Sequence, residues 1–415
     1  MNLLPYALFA AVLAAAGLPI YIHAPKFFVD EYGVGLAGLG AVLFALRLLD
    51  VVQDPALGWL SSRLGAKRPL AVAVAAVVLA LAMLGLFAVT PPIAPLLWFA
   101  LTITLLFSAF SFLTISFYAQ GVGRARNLGK GGHVRLAGWR ETGALLGVCL
   151  AAVAPLALNQ VTDAPFALFA ALFALATLAA VLAMKGEWQA PPPASRPGLG
   201  PYLNDSMTRR LLLVALLNAM PVAATSTLFL FFVEHRLEAP GWEGPLLLLF
   251  FLAAALAAPL WARLALSHGA KTTLMAAMAL AILSFAGAAF LGAGDIAAFT
   301  LICLVSGAAL GADMTLLPAL FAREAARIAP EAAEGFGLWS FASKFSLAFA
   351  AVLFLPILER AGFNPGAGEV SAASLTTLTW LYAVLPLGLK LAALALLALT
   401  PLRSTAIPPM RGAHI

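Results

Sequence analysis

The chain has 415 residues, of which 63% are hydrophobic and only 10% are charged. About a quarter of the residues in a soluble domain are charged, so this composition excludes an ordinary water-soluble globular protein. The net charge is +6 at pH 7. The basic residues fall between long apolar runs, so we expect the chain to lie in a lipid bilayer and to bind no nucleic acid.

Twelve apolar runs predict an all-α membrane protein, because about 20 apolar residues cross a bilayer as a helix. The runs are continuous rather than alternating, which favours helices over a closed β-barrel. Cys149 and Cys303 lie inside such runs and predict neither a disulfide framework nor a metal site. The predicted transmembrane helices cover residues 4–24, 35–60, 69–90, 95–121, 134–157, 164–184, 210–234, 245–267, 271–293, 295–321, 335–358 and 372–401.

The longest polar stretch, residues 185–209, is rich in proline and lies near the middle of the chain. Such a segment has too few apolar residues for a core of its own. We therefore predict an N-terminal six-helix half over residues 1–184, a cytoplasmic linker over 185–209, a C-terminal six-helix half over 210–402 and a cytoplasmic tail over 403–415.

The basic residues indicate the orientation of the chain in the membrane. They concentrate in and next to the even-numbered connections, as at Arg124, Arg126, Lys130 and Arg135 between predicted helices 4 and 5 or at the start of the latter. Because cytoplasmic loops are rich in Lys and Arg, we expect both termini to be cytoplasmic. The first run lacks a basic leading region and a cleavage site. Together with the short loops, this favours a multi-pass protein of the bacterial inner (cytoplasmic) membrane.

A short internal repeat supports two similar halves. The segment from Pro55 to Lys67 ends predicted helix 2, and the segment from Pro259 to Lys271 ends predicted helix 8. Both begin with proline and end with Gly-Ala-Lys, about half the chain length apart. Two parallel six-helix repeats are the arrangement of the major facilitator fold, in which the substrate site lies between the halves near the membrane midplane.

Predicted helix 2 contains Arg47, Asp50, Gln53 and Asp54. The two carboxylates are four residues apart and therefore share one helix face. Carboxylates in hydrocarbon face a cavity or a partner, and two neighbouring ones repel unless a cation separates them or one is protonated. The pattern predicts a Na⁺ or H⁺ site, with an amide oxygen from Gln53 as a further ligand. The alternative is a structural Arg47–Asp50 ion pair with a bend at Asp54-Pro55.

Two further charged residues lie inside apolar runs. Lys344, in predicted helix 11, needs an acidic partner or a wet cavity, and Asp50 and Asp54 are the natural candidates. The alternative is a lysine near a helix end whose side chain reaches the membrane interface. Asp313, in predicted helix 10, has three alternatives: an ion pair with Lys344, a place in the substrate cavity, or a position near a kink.

The run R-x-x-D-x-x-x-D-P-x-x-G-W, from Arg47 to Trp59, resembles the signature of the glycoside–pentoside–hexuronide:cation symporter family, the melibiose permease-like proteins. The resemblance continues at Arg140, in SGAALGADMTLLPALFA around Asp313, and in GLWSFASKFSLAFAAVL around Lys344. It implies a major facilitator fold and cation symport, with no cofactor besides the coupling ion.

The resemblance also implies roles for individual residues. Asp50 and Asp54 correspond to the cation-binding carboxylates, Gln53 occupies a position that the family often fills with an amide, and Ser111 supplies a further oxygen. Lys344 corresponds to the lysine that links cation and substrate binding. Arg140 corresponds to a basic residue of the same charge network, to which we also assign Arg47 and Asp313.

The chain departs from this family at the sugar site. The sugar-binding carboxylates of helices 1 and 4 fall on Ala14 and Thr114, and neither side chain binds sugar hydroxyls as a carboxylate does. We therefore expect a substrate that is not a simple sugar. The remaining cavity candidates are largely apolar and aromatic, which suits an amphipathic or lipid-like substrate. The predicted substrate-binding residues are Thr114, Tyr118, Trp339 and Ser343.

The sequence thus predicts a cation-coupled (Na⁺ or H⁺) secondary active transporter, which works as a monomer and performs symport by alternating access. The alternative of the same fold is an uncoupled lipid flippase or facilitator. A transporter-like sensor that binds ligand without moving it is a further alternative. A membrane enzyme is disfavoured, because the sequence has no His-Glu pair, Asp-rich metal motif or Ser-His constellation.

Overall fold

The computed structural model describes residues 3–188, 198–329, 333–362 and 371–402. Every regular element in these ranges is helical. The α-helices are α1 (Leu4–Ala15), α2 (Leu18–Tyr32), α3 (Leu36–Leu64), α4 (Arg68–Phe87), α5 (Pro95–Asn127), α6 (Gly132–Leu158), α7 (Pro165–Met184), α8 (Gly200–Asn204), α9 (Ser206–Phe231), α10 (Glu243–His268), α11 (Ala270–Ala286), α12 (Ile296–Ile328), α13 (Ala333–Arg360), α14 (Ala372–Thr379) and α15 (Leu385–Leu399).

The described residues contain nine helical segments that are long and apolar enough to cross a membrane. Long apolar helices satisfy all their backbone hydrogen bonds internally, which a chain in hydrocarbon requires. The expected all-α, multi-pass membrane architecture is therefore confirmed. The count of twelve transmembrane helices stays a prediction.

Local sequence signals explain where several of these helices begin. Pro95 and Pro165 are the first residues of α5 and α7, positions where a missing N–H group costs no hydrogen bond. Asp205 precedes α9, and its Oδ2 accepts a hydrogen bond of 2.8 Å from the backbone N–H of Thr208. This cap satisfies one of the free N–H groups at the start of that helix.

The first predicted helix, over residues 4–24, is instead two helices. Helix α1 ends at Ala15, and α2 begins at Leu18 and continues to Tyr32. The break has a physical cause, because Gly17 has a non-helical backbone and Pro19 follows directly after Leu18. A proline disfavours the helical conformation of the residue before it, so the chain restarts as a new helix whose first turn contains the proline.

The chain forms two compact units. The first comprises Met1–Leu128, Trp139–Tyr202 and Ala325–Phe341. The second comprises Gly129–Gly138, Leu203–Glu324 and Ala342–Ile415.

Each unit contains a close helix contact at a pair of glycines four residues apart. In the first unit, a Cβ on Gly143 or Gly147 of α6 would collide with the backbone of α1. In the second unit, a Cβ on Gly307 or Gly311 of α12 would collide with the backbone of α10. Small residues at this spacing let two membrane helices approach until their backbones touch.

Two short π-helical turns pack against each other in the second unit. One covers Phe232–Arg236 after α9, and the other covers Trp380–Val384 between α14 and α15. The rings of Phe232 and Tyr382 stack with centroids 4.0 Å apart and planes at 14°. A π turn holds one extra residue and turns the side chains that follow it. Predicted helix 12 is therefore divided into α14 and α15.

Candidate functional site

Two carboxylates lie one turn apart on α3. Asp50 and Asp54 are 1% and 0% exposed, so both are removed from solvent within the first unit. Burial of a charged carboxylate is unfavourable unless the group has partners, takes up a proton or binds a cation. Both carboxylates of α3 therefore require such a partner, proton or cation.

The carboxylate of Asp50 accepts a hydrogen bond from the amide of Gln53, which is itself bonded to a hydroxyl. The Nε2 of Gln53 donates a hydrogen bond of 2.8 Å to Oδ1 of Asp50. The Oε1 of Gln53 accepts a hydrogen bond of 3.0 Å from Ser108 on α5. Gln53 is therefore held in one orientation by both ends of its amide, and it orients the carboxylate of Asp50. The Oε1 of Gln53 has a second lone pair, with which it can accept a further hydrogen bond or contact a cation.

Asp54 is bonded to a residue of α13. The hydroxyl of Ser340 donates a hydrogen bond of 2.5 Å to Oδ2 of Asp54, and both residues belong to the first unit. The helices meet at Gly58 and Gly337, where a Cβ on Gly58 would lie 2.9 Å from the carbonyl oxygen of Ala333. These glycines allow a contact close enough for a short serine side chain to reach the carboxylate.

Two other predicted members of the site lie on the same helices. Ser111 is buried on α5, one turn beyond Ser108. Arg47 is in α3, one turn before Asp50, but its side chain lies outside the described part of the molecule. The alternative of a structural Arg47–Asp50 ion pair is therefore not tested by the described residues.

Arg140 lies in a second polar cluster of the first unit. Its Nε donates a hydrogen bond of 2.7 Å to Oε1 of Glu141, and the same oxygen accepts one of 2.8 Å from the hydroxyl of Tyr118. The guanidinium also lies 3.6 Å from the centroid of the Tyr118 ring. The tyrosine therefore holds the arginine through its ring and their shared acid through its hydroxyl.

The remaining predicted substrate and coupling residues are distributed over both units. Thr114 of the first unit has a buried hydroxyl oxygen with no hydrogen bond from the described residues. Trp339, Ser343 and Lys344 are half-buried on α13, the first of them in the first unit and the other two in the second. The pairing of Lys344 with the carboxylates of α3 remains a prediction.

Asp313 lies on α12 in the second unit and is bonded to a lysine that the sequence analysis did not single out. The Nζ of Lys390, on α15, donates hydrogen bonds to Oδ2 of Asp313 and, at 2.6 Å, to Oδ1 of Asn218 on α9. All three side chains are buried. The sequence analysis considered an ion pair of Asp313 with Lys344. The structure instead shows an ion pair of Asp313 with Lys390.

Several site residues have signals that could have revealed them. Lys390 is a lone charge in the apolar run of α15, which is the same signal that singled out Lys344. Glu141 directly follows Arg140, and a buried arginine requires an acid nearby. Ser108 and Ser340 carry no such signal, because serine is common in membrane helices and its partner depends on which helices touch.

The described residues contain no group of three or more His, Cys, Asp or Glu side chains arranged to hold a metal ion. The carboxylates of α3 accept hydrogen bonds from the amide of Gln53 and the hydroxyl of Ser340. Carboxylate, amide and hydroxyl oxygens are ligands that hard cations prefer, and a carboxylate also takes up a proton.

The comparisons with known proteins agree with a membrane transporter. The model of a protein family described as MFS/sugar transport protein matches residues 5–404, where MFS denotes the major facilitator superfamily. No curated protein matches the chain significantly.

Solved structures show the same fold. A bacterial homologue of the iron transporter ferroportin in its outward-facing state has a TM-score of 0.70 and 13% sequence identity, and the match covers 96% of this chain and 99% of that one. The same kind of protein with soaked iron also has a TM-score of 0.70 and 13% identity, over 97% of this chain and 100% of that one. At this identity the likeness shows the fold alone. Because the family model spans nearly the whole chain, the protein belongs to the MFS/sugar transport protein family of the major facilitator superfamily.

Proposed function

We propose that the protein is a cation-coupled secondary active transporter that uses Asp50 and Asp54 to bind Na⁺ or H⁺. The observation that carries the proposal is the burial of both carboxylates one turn apart on an apolar helix. Intramembrane acids of this kind mark ion pathways. The resemblance of the α3 motif to the glycoside–pentoside–hexuronide:cation symporters supports the same assignment.

The chemistry of the site follows from electrostatic repulsion. Two ionised carboxylates on one helix face destabilise each other in a medium of low dielectric constant. A cation between them, or a proton on one of them, removes this repulsion. Gln53 and Ser111 offer further oxygen atoms to a bound ion. Ser340 links occupation of the site to α13, because its hydroxyl is bonded to Asp54.

Transport in this proposal follows alternating access. Twelve helices in two six-helix halves, residues 1–184 and 210–402, rock about a central site, with both termini in the cytoplasm of a bacterial cell. Lys344 responds to the charge of the carboxylates, so that ion and substrate together favour the occluded state. Arg140 and Asp313 extend the charge network, and one chain forms the complete pathway.

The substrate in this proposal is amphipathic and is not a simple sugar. Ala14 and Thr114 stand where the resembled family has sugar-binding carboxylates. The hydroxyl oxygen of Thr114 has no hydrogen bond from the described residues, and the side chains of Trp339 and Ser343 are half-buried. In this proposal they supply a few polar contacts in largely apolar surroundings. Such a lining suits a molecule with a polar end and an apolar body.

The proposal is tested by thermal unfolding of the purified protein in detergent, titrated with NaCl against choline chloride at two pH values. A ligand that binds only the folded state raises the unfolding temperature with its concentration. We expect Na⁺ to raise it in the wild type and to have no such effect in Asp54→Asn. Asp163→Asn is the matched control, because it makes the same chemical change at an exposed loop position.

The outcomes separate the alternatives. A Na⁺ effect that Asp54→Asn removes and Asp163→Asn retains supports a sodium site on α3. Without a Na⁺ effect, uptake of protons on substrate addition to the wild type, but not to Asp54→Asn, indicates proton coupling, because in symport the substrate and the proton favour each other's binding. If substrate flux through liposomes is the same in wild type and Asp54→Asn, coupling at this site is rejected. The uncoupled facilitator then becomes the better description.

A further inference from the structure

A pocket opens in the second unit beside the Asp313–Lys390 pair. Its volume is about 80 Å³, and it lies among α9, α10, α11, α12 and α15. We call it the C-terminal pocket. Its lining is mostly apolar and includes Val222, Phe250, Ala281 and Leu310 beside the charged pair. One buried water needs only about 10–15 Å³, so the pocket has room for several waters or for part of an organic molecule.

The charged pair at this pocket is deeply buried. Asp313 is 6% exposed and Lys390 is 7% exposed. Two of the three N–H groups of the Lys390 ammonium donate to Asp313 and Asn218. The described residues provide no acceptor for the third. The lysine therefore has one hydrogen-bond donor to spare.

One oxygen of the Asp313 carboxylate accepts no hydrogen bond from the described residues. Its Oδ2 accepts from Lys390, but its Oδ1 is buried and has no hydrogen bond from the described residues. The two hydroxyls that line the pocket do not reach it, because each donates to a carbonyl of its own helix. Thr225 donates to Pro221 at 3.0 Å, and Ser306 donates to Ile302 at 2.6 Å.

An unsatisfied carboxylate oxygen in an apolar pocket is unfavourable, and a ligand that donates a hydrogen bond relieves this. A hydroxyl group suits the position best, because it donates and accepts at once. It can donate to Oδ1 of Asp313 and accept from the spare N–H of Lys390. Oδ1 belongs to the carboxylate that already holds this ammonium, so one hydroxyl can reach both.

We propose that the C-terminal pocket binds an uncharged, mainly apolar alcohol, with its hydroxyl between Asp313 and Lys390. The ligand is uncharged because the pair is already neutral as a whole, and a further charge in apolar surroundings would lack a counterion. The ligand is mainly apolar because the rest of the lining is apolar. This site is separate from Asp50 and Asp54, and the proposal does not depend on cation coupling.

The experiment is photolabelling of the full-length protein in detergent with an octanol that carries a diazirine in its chain. The methyl ether of the same molecule is the matched probe without the donor. We expect saturable labelling of peptides from α9, α11, α12 or α15 by the alcohol, and at least tenfold weaker labelling by the ether. The difference reflects the loss of a hydrogen bond to a charged group.

Two variants test the position of the ligand. Asp313→Leu/Lys390→Met removes both charges together and should abolish the preference for the alcohol over the ether. Ala281→Leu fills the pocket without touching the pair and should weaken labelling by the alcohol at least tenfold. Ala276→Leu is its control, because it adds the same side chain at an exposed position of α11.

The results decide the proposal even if the double variant does not fold, because Ala281→Leu and Ala276→Leu test the position of the ligand in the pocket without changing the charged pair, and the two probes are compared in the wild type. Equal labelling by alcohol and ether, labelling that does not saturate, or labelling unaffected by Ala281→Leu would overturn it. The pocket would then hold only water or lipid chains. Na⁺ titration of the same samples reports on Asp54 independently, so failure of either proposal is recognised separately.

Discussion

Ser340 of α13 donates a hydrogen bond of 2.5 Å to Asp54 of α3, at a point where the two helices touch through Gly58 and Gly337. The bond connects the most deeply buried acid of the first unit to the helix that also carries Lys344. A change in the charge of Asp54 alters the strength of this bond, because hydrogen bonds to an ionised acceptor are stronger than those to a neutral one. The helix contact therefore depends on the charge of this carboxylate.

We predict that Ser340→Ala lowers the free energy of unfolding by about 1 kcal/mol in the absence of Na⁺, which is typical of a hydrogen bond between membrane helices. The loss is measured by denaturant or thermal unfolding in detergent. Ser62→Ala is the control, because within the described residues the hydroxyl of Ser62 bonds to a carbonyl of its own helix. Equal effects of the two substitutions would contradict a specific role of the bond to Asp54.

The contact between the two helices gives a second prediction. A Cβ on Gly337 would lie 2.9 Å from the carbonyl oxygen of Asp54 and 3.3 Å from the Cα of Gly58. These are backbone atoms, which cannot move aside singly. We expect Gly337→Ala to lower the free energy of unfolding by about 1–3 kcal/mol, as overpacking does, and to reduce the effect of Na⁺ on stability.

Gly123→Ala provides the control for this effect. Gly123 is an exposed residue of α5, and a Cβ there would meet no atom within 4 Å. Because alanine favours a helix over glycine by about 1 kcal/mol, this substitution should be neutral or stabilising. Similar destabilisation by both substitutions would show that the contact at Gly58 does not limit the packing of α13.

The sequence predicts some features of the molecule well, because they depend on local properties. Apolar runs identify the membrane helices, and the helical period places Asp50 and Asp54 on one face. Boundaries are less accurate where helices extend beyond the apolar run. The predicted helix over residues 95–121 continues as α5 to Asn127, since polar residues such as Arg124 continue a helix in water as well.

The partners of the site residues are harder to predict, because they depend on contacts between distant helices. Ser340 reaches Asp54 only because two glycines on different helices coincide. Asp313 pairs with Lys390 because the fold brings their side chains, from α12 and α15, together at the wall of one pocket. The sequence supplies the charges and their depth in the membrane, but not which of several buried acids and bases are neighbours.

The cluster at Arg140 gives a third prediction, which compares two of its members. Glu141→Leu leaves the buried guanidinium without its acid and should lower the free energy of unfolding by about 3–5 kcal/mol. Tyr118→Phe removes one hydroxyl but keeps the ring beneath the guanidinium, so we expect a loss of about 1 kcal/mol. Unfolding measurements on both variants check the order. A larger effect of Tyr118→Phe would show that the tyrosine hydroxyl, and not the ion pair, stabilises the cluster.

The Asp313–Lys390 pair gives a fourth prediction, which rests on the difference between breaking a buried ion pair and replacing it. Lys390→Met leaves Asp313 as a buried acid without a counterion and should lower the free energy of unfolding by about 3–5 kcal/mol. Asp313→Leu/Lys390→Met removes both charges, so its effect should be close to zero or stabilising. Lys390→Met, Asp313→Leu and the double variant form a mutant cycle with the wild type, and unfolding in detergent gives the interaction energy of the pair.

The cycle has two informative outcomes. If the loss of unfolding free energy in the double variant equals the sum of the losses in Lys390→Met and Asp313→Leu, the charges do not interact. Near-normal stability of the double variant would mean that folding does not require the pair. Its position at a pocket with an unused carboxylate oxygen is then better explained by ligand binding than by stability.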